Sequence, residues 1–178
     1  MSQDVTLRER LQPHCAADVV LRAETDADGD FVARLYADIR AEEMAPVAWP
    51  DEAKRAFLLD QHNLQHAHYR KHYVGAEFLL IEQAGRPVGR VYLHRTAVEI
   101  RLMDIALLTP LRGQGIGGAL LRALFAIADA DAYPISLHVE PDNPIGRLYR
   151  RHGFSFIEER GAYHFMGRAP QPQLNTAS

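Results

Sequence analysis

The segment Asp104 to Gly118 (Asp-Ile-Ala-Leu-Leu-Thr-Pro-Leu-Arg-Gly-Gln-Gly-Ile-Gly-Gly) restricts the possible folds of this chain more than any other stretch. An apolar, strand-like run stops at Thr109-Pro110. Four glycines (Gly113, Gly115, Gly117, Gly118) then fall within six residues, and a helical pattern opens at once. A strand must therefore empty through a tight turn into a helix N-terminus. Unpaired backbone N–H groups point outward at such a place, and the helix dipole adds partial positive charge. Glycine lets an anion approach without a Cβ in the way. The segment is suited to hold a phosphate.

Two familiar phosphate loops do not fit. No Gly-Lys-Ser/Thr follows, so this is not a Walker loop. Gly113-x-Gly115-x-x-Gly118 matches the dinucleotide expression, but that motif needs an acid about 20 residues on, ending a second parallel strand. Glu140 is too far along, and Asp129 and Asp131 fall in the wrong element.

At 178 residues the chain has the size of one domain with a core of its own. An apolar fraction of 47% and a charged fraction of 24% are ordinary for a soluble globular protein. The net charge of −3 gives no footprint for nucleic acid or an anionic membrane. The single cysteine, Cys15, excludes an internal disulfide and has no identifiable base partner. There is no basic n-region followed by an apolar run, and no stretch approaches the ~18 apolar residues of a membrane span. The expected location is the cytoplasm.

In chain order, residues 1–17 are weakly patterned and are expected to form an N-terminal extension, either a short extra helix or a loose arm. Val19 to Arg22 reads as a strand, and Thr25 with Asp28 three residues on resembles a capping box. Phe31, Leu35, Tyr36 and Ile39 recur at helical spacing, giving a helix to about Glu43. A second helix starts after Pro50, with Asp51 and Glu52 in its first turn, and continues to about His72. Ala76–Ile81 and Pro87–His94 are expected to pair as a hairpin about Gly85-Arg86. Val98–Leu108 is the next strand, and the helix after the glycines runs from about Gly117 to Asp131. Leu120, Leu121, Leu124, Phe125 and Ala128 form its buried stripe. Pro134–Val139 is a strand. A short helix follows, with Asn143 as N-cap, Pro144 at its first position and Gly153 as its stop. Phe154–Ile157 and Tyr163–Met166 are the last strands, turning near Gly161. The segment 168–178, with Pro170 and Pro172, reads as a disordered tail.

Arg112-x-x-Gly115-x-Gly117, placed between an apolar strand and a long helix, resembles the coenzyme A pyrophosphate loop of the GNAT superfamily of N-acetyltransferases. Asn143-Pro-Ile-Gly-Arg-Leu-Tyr149-Arg-Arg-His-Gly153-Phe154 is similar to that family's second signature, with Gly146 at the usual alanine. The two motifs come in the family's order, and the element order β-α-α-β-β-β-α-β-α-β-β over residues 18–167 is also the family's. The resemblance implies an α/β fold, a central mixed, mostly antiparallel twisted sheet of about seven strands flanked by about four helices. It also implies acetyl transfer from acetyl-CoA to a primary amine. Such a transfer needs a neutral amine, an oriented thioester carbonyl and a proton for the departing sulfur. By resemblance Tyr149 donates to the coenzyme A sulfur and Asn143 bonds the pantetheine arm. Backbone groups of Ile105, Ala106, Leu107 and Leu108 hold the pantetheine. Arg112 and the amides of Gly113, Gln114, Gly115, Ile116, Gly117 and Gly118 hold the pyrophosphate.

The acceptor side is less legible. Asp104 is a carboxylate in an otherwise apolar strand, placed to hold a water or the amine itself, or to serve as a buried structural acid. Glu99 lies on the opposite face by simple alternation. The family's acceptor pocket is often lined by the connection between the first two helices, which here brings Glu42, Glu43, Met44 and Trp49 forward. His62/His66 and His68/His72 are each spaced i, i+4, but with no third ligand they read as a polar helix face, and no metal site is expected. The expected reaction is direct attack in a ternary complex, with a small-molecule amine as acceptor. Alternatives are a protein N-terminus or lysine as acceptor, a non-catalytic acyl-CoA sensor, and a bare interaction module. Dimerisation is common in such folds; a homodimer cannot be read from this chain.

Overall fold

The computed structural model describes residues 5–172. Along the chain come α1 (Leu7–Leu11), β1 (Val19–Ala23), α2 (Gly29–Met44), α3 (Asp51–His72), β2 (Glu77–Gln83), β3 (Arg86–Arg95) and β4 (Ile100–Leu107). They are followed by α4 (Ile116–Ala130), β5 (Ile135–Val139), α5 (Ile145–Arg151), β6 (Ser155–Arg160) and β7 (Tyr163–Arg168). From β1 onward this is the expected order, and α1 is additional.

The strands form one seven-stranded sheet in the order β1-β2-β3-β4-β5-β7-β6. All neighbours are antiparallel except β4 and β5. That parallel pairing is short, joining only Ile100–Leu102 to Ile135–Leu137, whereas β4 stays paired with β3 as far as Leu107. Beyond Leu102 the sheet therefore divides, and the β5-side edge of Met103–Leu107 has no strand partner. The division opens at the carboxyl ends of two parallel strands, where open α/β sheets place their ligands.

A bulge decides which side chains of β4 face which way. Leu102 pairs with Leu93 but Asp104 pairs with Tyr92, so Met103 is the extra residue. An extra residue reverses the alternation beyond it. Ile100, Leu102, Ile105 and Leu107 all join the core beneath α4, packing with Leu120, Leu121 and Leu124. Ala106 and Leu108 instead meet Phe31, Val32 and Leu35 of α2. Simple alternation puts Glu99 and Asp104 on opposite faces; the structure corrects this. Glu99 accepts from Arg101 Nη2 at 3.0 Å, and Arg101 Nη1 donates to the Tyr73 hydroxyl at 3.3 Å just past α3. Asp104 also faces α3.

The first and last of the described residues are tied in more closely than the pattern implies. Thr6 and Glu9 form a capping box on α1, and the Glu77 carboxylate accepts from the amides of Leu7 and Arg8 at 3.0 Å. Leu7 and Leu11 are each 1% exposed within the main core, so the extension is part of the domain's packing. At the other end β7 runs through Arg168, whose guanidinium meets Asp129 at 2.6 and 2.9 Å, and the Gln171 amide bonds the same carboxylate. The segment 168–178 thus begins with packed residues, and 173–178 lie outside the described ones. The β2–β3 turn sits at Ala84-Gly85, with φ 51° and 77°, one residue before the expected Gly85-Arg86.

Candidate active site

The strand-to-helix passage is closed by a short turn at Thr109–Leu111, after which Arg112 to Gly115 lead into α4. Gly113 and Gly115 have φ 75° and 89°, a region where only glycine sits without strain. Gly115 directly precedes α4, so the amides of Ile116, Gly117 and Gly118 have no carbonyl one turn earlier to bond. The loop is braced from its own backbone. Arg112 Nε donates to the Leu107 carbonyl at 3.1 Å, and Gln114 Nε2 donates to that of Pro110 at 3.1 Å. Asp38 of α2 accepts from the Thr109 amide and hydroxyl at 2.8 Å and lies 3.8 Å from Arg112 Nη2. Free amides, the dipole of a fifteen-residue helix and a half-exposed arginine fit a pyrophosphate.

The free edge of β4 leads into this loop, although not all of it is open. The Leu108 amide donates to the Val88 carbonyl at 2.9 Å, and the Leu107 carbonyl already accepts from Arg112. Alternation from Leu108 turns the backbone groups of Ala106 toward Arg90 of β3 as well, which leaves Ile105 and the Leu107 amide as the clearest backbone partners for an extended arm. Asn143 Oδ1 accepts from the Ile145 amide at 3.1 Å, capping α5 and leaving its NH2 group for another acceptor.

Tyr149, on α5, is 4% exposed and belongs to the core on the α4 side of the sheet. Its phenol is pushed well above the usual tyrosine range, first by burial and then by the charge of Asp104, so it stays protonated. Asp104 approaches from the other face. Tyr149 thus belongs to the α4 side of the sheet and Asp104 to the α3 side.

Asp104 is not free. Arg90 of β3, 2% exposed, reaches its Oδ2 through Nε at 2.6 Å and Nη2 at 2.5 Å. Gln65 of α3 accepts from Arg90 Nη2 at 3.0 Å, and the guanidinium stacks on Tyr92, 4.8 Å from the ring centroid. Tyr69 of α3 is pushed up by burial and by Asp104, and its hydroxyl lies 3.5 Å from the bulged Met103 carbonyl. Sequence reasoning missed Arg90, Gln65 and Tyr69. Arg90 carried the same signal as Asp104, a charge inside the apolar run Val88–Leu93.

No hydrogen bond or ion pair among the described residues joins Glu42, Glu43 or Trp49 to Asp104. Glu42 is exposed. Glu43 bonds Arg40 at 3.0 Å, and Arg40 also reaches Glu140 of the segment after β5 at 3.4 Å. Trp49 is half exposed and lies edge-on to Phe57. Of the histidines, only His62 is buried. Its ring meets Tyr36 at 5.6 Å, its Nδ1 has no partner, and burial and Arg90 hold its pKa down to about 4. His68 and His72 stack on the outer face of α3, and no group of three metal-ligating side chains converges among the described residues. The Cys15 thiol is raised by burial and lies 3.7 Å from the Leu11 carbonyl.

A family model for the acetyltransferase (GNAT) family matches residues 30–154. The chain belongs to this family, and it is an acetyltransferase with acetyl-CoA as its co-substrate. Among solved structures, it is similar to the PaiA N-acetyltransferase of Thermoplasma acidophilum in complex with coenzyme A. Identity there is 16% over 85% of this chain and 98% of that one, with a TM-score of 0.62. A protein from Corynebacterium glutamicum described as histone acetyltransferase HPA2 and related acetyltransferase is 21% identical, over 88% and 99% of the two chains, at TM-score 0.60. RimL, a ribosomal alpha-N-protein acetyltransferase, is 18% identical over 86% and 91%, at TM-score 0.55. At these identities the likeness shows the fold. No curated protein matches the sequence. No helix among the described residues is long and apolar enough to cross a membrane.

Proposed function

We propose that this acetyltransferase moves the acetyl group of acetyl-CoA onto the primary amine of a small molecule, by direct attack while both substrates are bound. The observation that carries this reading is the divided sheet. The free edge of β4 ends in the glycine loop, with Tyr149 on the α4 side of the division and Asp104 on the α3 side. Acetyl-CoA then lies along Ile105 and Leu107, with its pyrophosphate on Arg112 and the amides of Gly113 to Gly118. The amine arrives from the α3 face. Asp104 Oδ1 accepts a hydrogen bond from the neutral amine, the new C–N bond forms as the C–S bond breaks, and Tyr149 gives its proton to the leaving sulfur. The nitrogen gives up one proton to solvent water, the sulfur takes one from Tyr149, and solvent returns a proton to Tyr149, so the exchange balances. No other described side chain near the division is an activated nucleophile, since Cys15 lies on the α1 side with its thiol raised.

A protein α-amine is the second reading, favoured by the likeness to RimL. Thermal-shift titration with acetyl-CoA, coenzyme A and ATP tests the first step, because a ligand held only by the folded state raises stability by about 2.7 kcal/mol at a hundredfold excess over Kd. A saturable rise with both coenzyme A species and none with ATP is expected. Thiol release is then measured across primary alkylamines, amino acids and short peptides. Turnover confined to the peptides overturns the small-molecule acceptor, and no shift with either coenzyme A species overturns the whole reading.

A further inference from the structure

Asp104 meets Arg90 through one oxygen only. Both guanidinium contacts fall on Oδ2, and Oδ1 has no partner among the described residues. The pair is unequally buried, Arg90 being 2% exposed and the Asp104 side chain 25%. The closed member is thus the cation, and the open member is the carboxylate. Arg90 has little freedom to turn away. Nε and Nη2 are held by Asp104, Gln65 takes Nη2 from the α3 side, and Tyr92 packs against the guanidinium.

Charge makes this arrangement matter for an amine. A lone carboxylate beside an alkylammonium stabilises the charged form and delays loss of the proton that must leave before attack. A carboxylate already compensated by a buried guanidinium still offers a lone pair but gives the ammonium far less. We propose that Arg90 and Gln65 are positioning residues for Asp104: they fix Oδ2, present Oδ1 to the acceptor nitrogen, and cancel the charge that would hold the acceptor in its ammonium form. This rests on the amine-acceptor reading above. The acceptor's proton passes to solvent water as it enters, and Asp104 aligns the neutral nitrogen.

Asp104 is faced by Arg90 and Tyr92 from β3, by Gln65 and Tyr69 from α3, and by Tyr149 from α5, with His62 of α3 behind Arg90. The phenols of Tyr69, Tyr92 and Tyr149 are raised by burial, and His62 is held neutral. These neighbours keep one charge state through the neutral range.

The test is thiol release with the fastest primary amine of the panel, as kcat and KM against pH, for four variants. Gln65→Glu adds a negative charge beside Arg90 at a half-buried helix position, and Arg90→Met removes the positive charge. Both are expected to move the rising limb of kcat roughly one pH unit to higher pH, with kcat near neutrality falling about tenfold and KM not rising. Gln65→Leu breaks the hydrogen bond without changing charge, and Arg90→Lys keeps the charge with poorer geometry. These two are expected to lower kcat with the limb in place. Equal losses in all four with no movement of the limb mark a purely structural pair and overturn the proposal. So does wild-type activity in Gln65→Glu. Should Arg90→Met fail to fold, the two Gln65 variants decide alone. If the wild type releases no thiol with any amine, the acceptor reading itself fails, an outcome visible without the variants.

Discussion

In the proposed mechanism, Tyr149 is the residue at which binding and catalysis separate most cleanly. Removing its hydroxyl leaves the ring in the core beside Phe154, 5.4 Å away, so the fold and the cofactor face are expected to survive. Tyr149→Phe should lower kcat by about a hundredfold, the low end for a general acid because a thiolate is a tolerable leaving group. Coenzyme A affinity, read by thermal shift, should stay unchanged; equal kcat in the variant would remove the tyrosine from the mechanism. His62 gives a prediction on stability instead. Its folded-state pKa, about 4, lies below the ordinary 6.5, so the unfolded chain binds the extra proton in acid. Its contribution is complete above pH 6.5, declines as pH falls toward 4, and levels out below. The window amounts to about 3 kcal/mol. In His62→Gln the urea midpoint should vary less with pH between 6.5 and 4 than in the wild type, and identical slopes would contradict the assignment. Single residues of this kind were half legible. Tyr149 stands inside a motif, and Asp104 stands out in an apolar strand. The partner of Asp104 did not stand out, because Arg90 lies fourteen residues earlier and meets it only through strand pairing.

Among the elements, the passage from β4 into α4 was readable because its punctuation is local. Proline, glycine and an apolar stripe act within a few residues, and none needs a distant partner. The bulge at Met103 was not readable. Whether a strand carries an extra residue is set by its register with a neighbour, and nothing at Tyr92-Leu93 of that neighbour, β3, announces it. One missed residue reversed the face assigned to Glu99 relative to Asp104, and with it the choice of acids available to the acceptor. The loop supports an element-scale prediction. Gly115→Ala asks an L-residue to hold φ 89° at the mouth of α4, costing roughly 1–2 kcal/mol. Nothing lies within 4 Å of the added methyl, so the cost is conformational rather than steric. The thermal midpoint should fall without ligand, and the rise given by coenzyme A should shrink as the amides of Ile116 to Gly118 lose their alignment. A variant that binds coenzyme A like the wild type would move the pyrophosphate away from these amides.

For the whole molecule, the match to the family model begins at residue 30, yet the core does not. A five-residue helix is too short for its period to show in a sequence, so residues 1–17 read equally as a short extra helix or a loose arm. The packing gives them two tasks. Leu7 and Leu11 fill the core shared by β1, β2 and α4, and burying two leucines contributes about 3–6 kcal/mol. The turn after α1 also backs the glycine loop before α4. Cys15, Ala16 and Val19 border a small cavity with Gln114, Gly115, Ile116 and Ala119, so the N-terminal segment lies against the first turn of α4. A protein beginning at residue 18 should therefore lose about 4 kcal/mol in urea unfolding, a large part of the 5–15 kcal/mol typical of a domain. It should also bind coenzyme A more weakly, because the loop loses its support on that side. Leu7→Ala with Leu11→Ala separates the two effects. The double variant keeps Cys15 and Ala16 in the chain, so it should lose most of the stability but less of the affinity. If the shortened protein unfolds at the wild-type urea concentration, the segment is an appendage after all. A loss of stability with coenzyme A affinity intact would keep α1 as a core element and remove its part in the site.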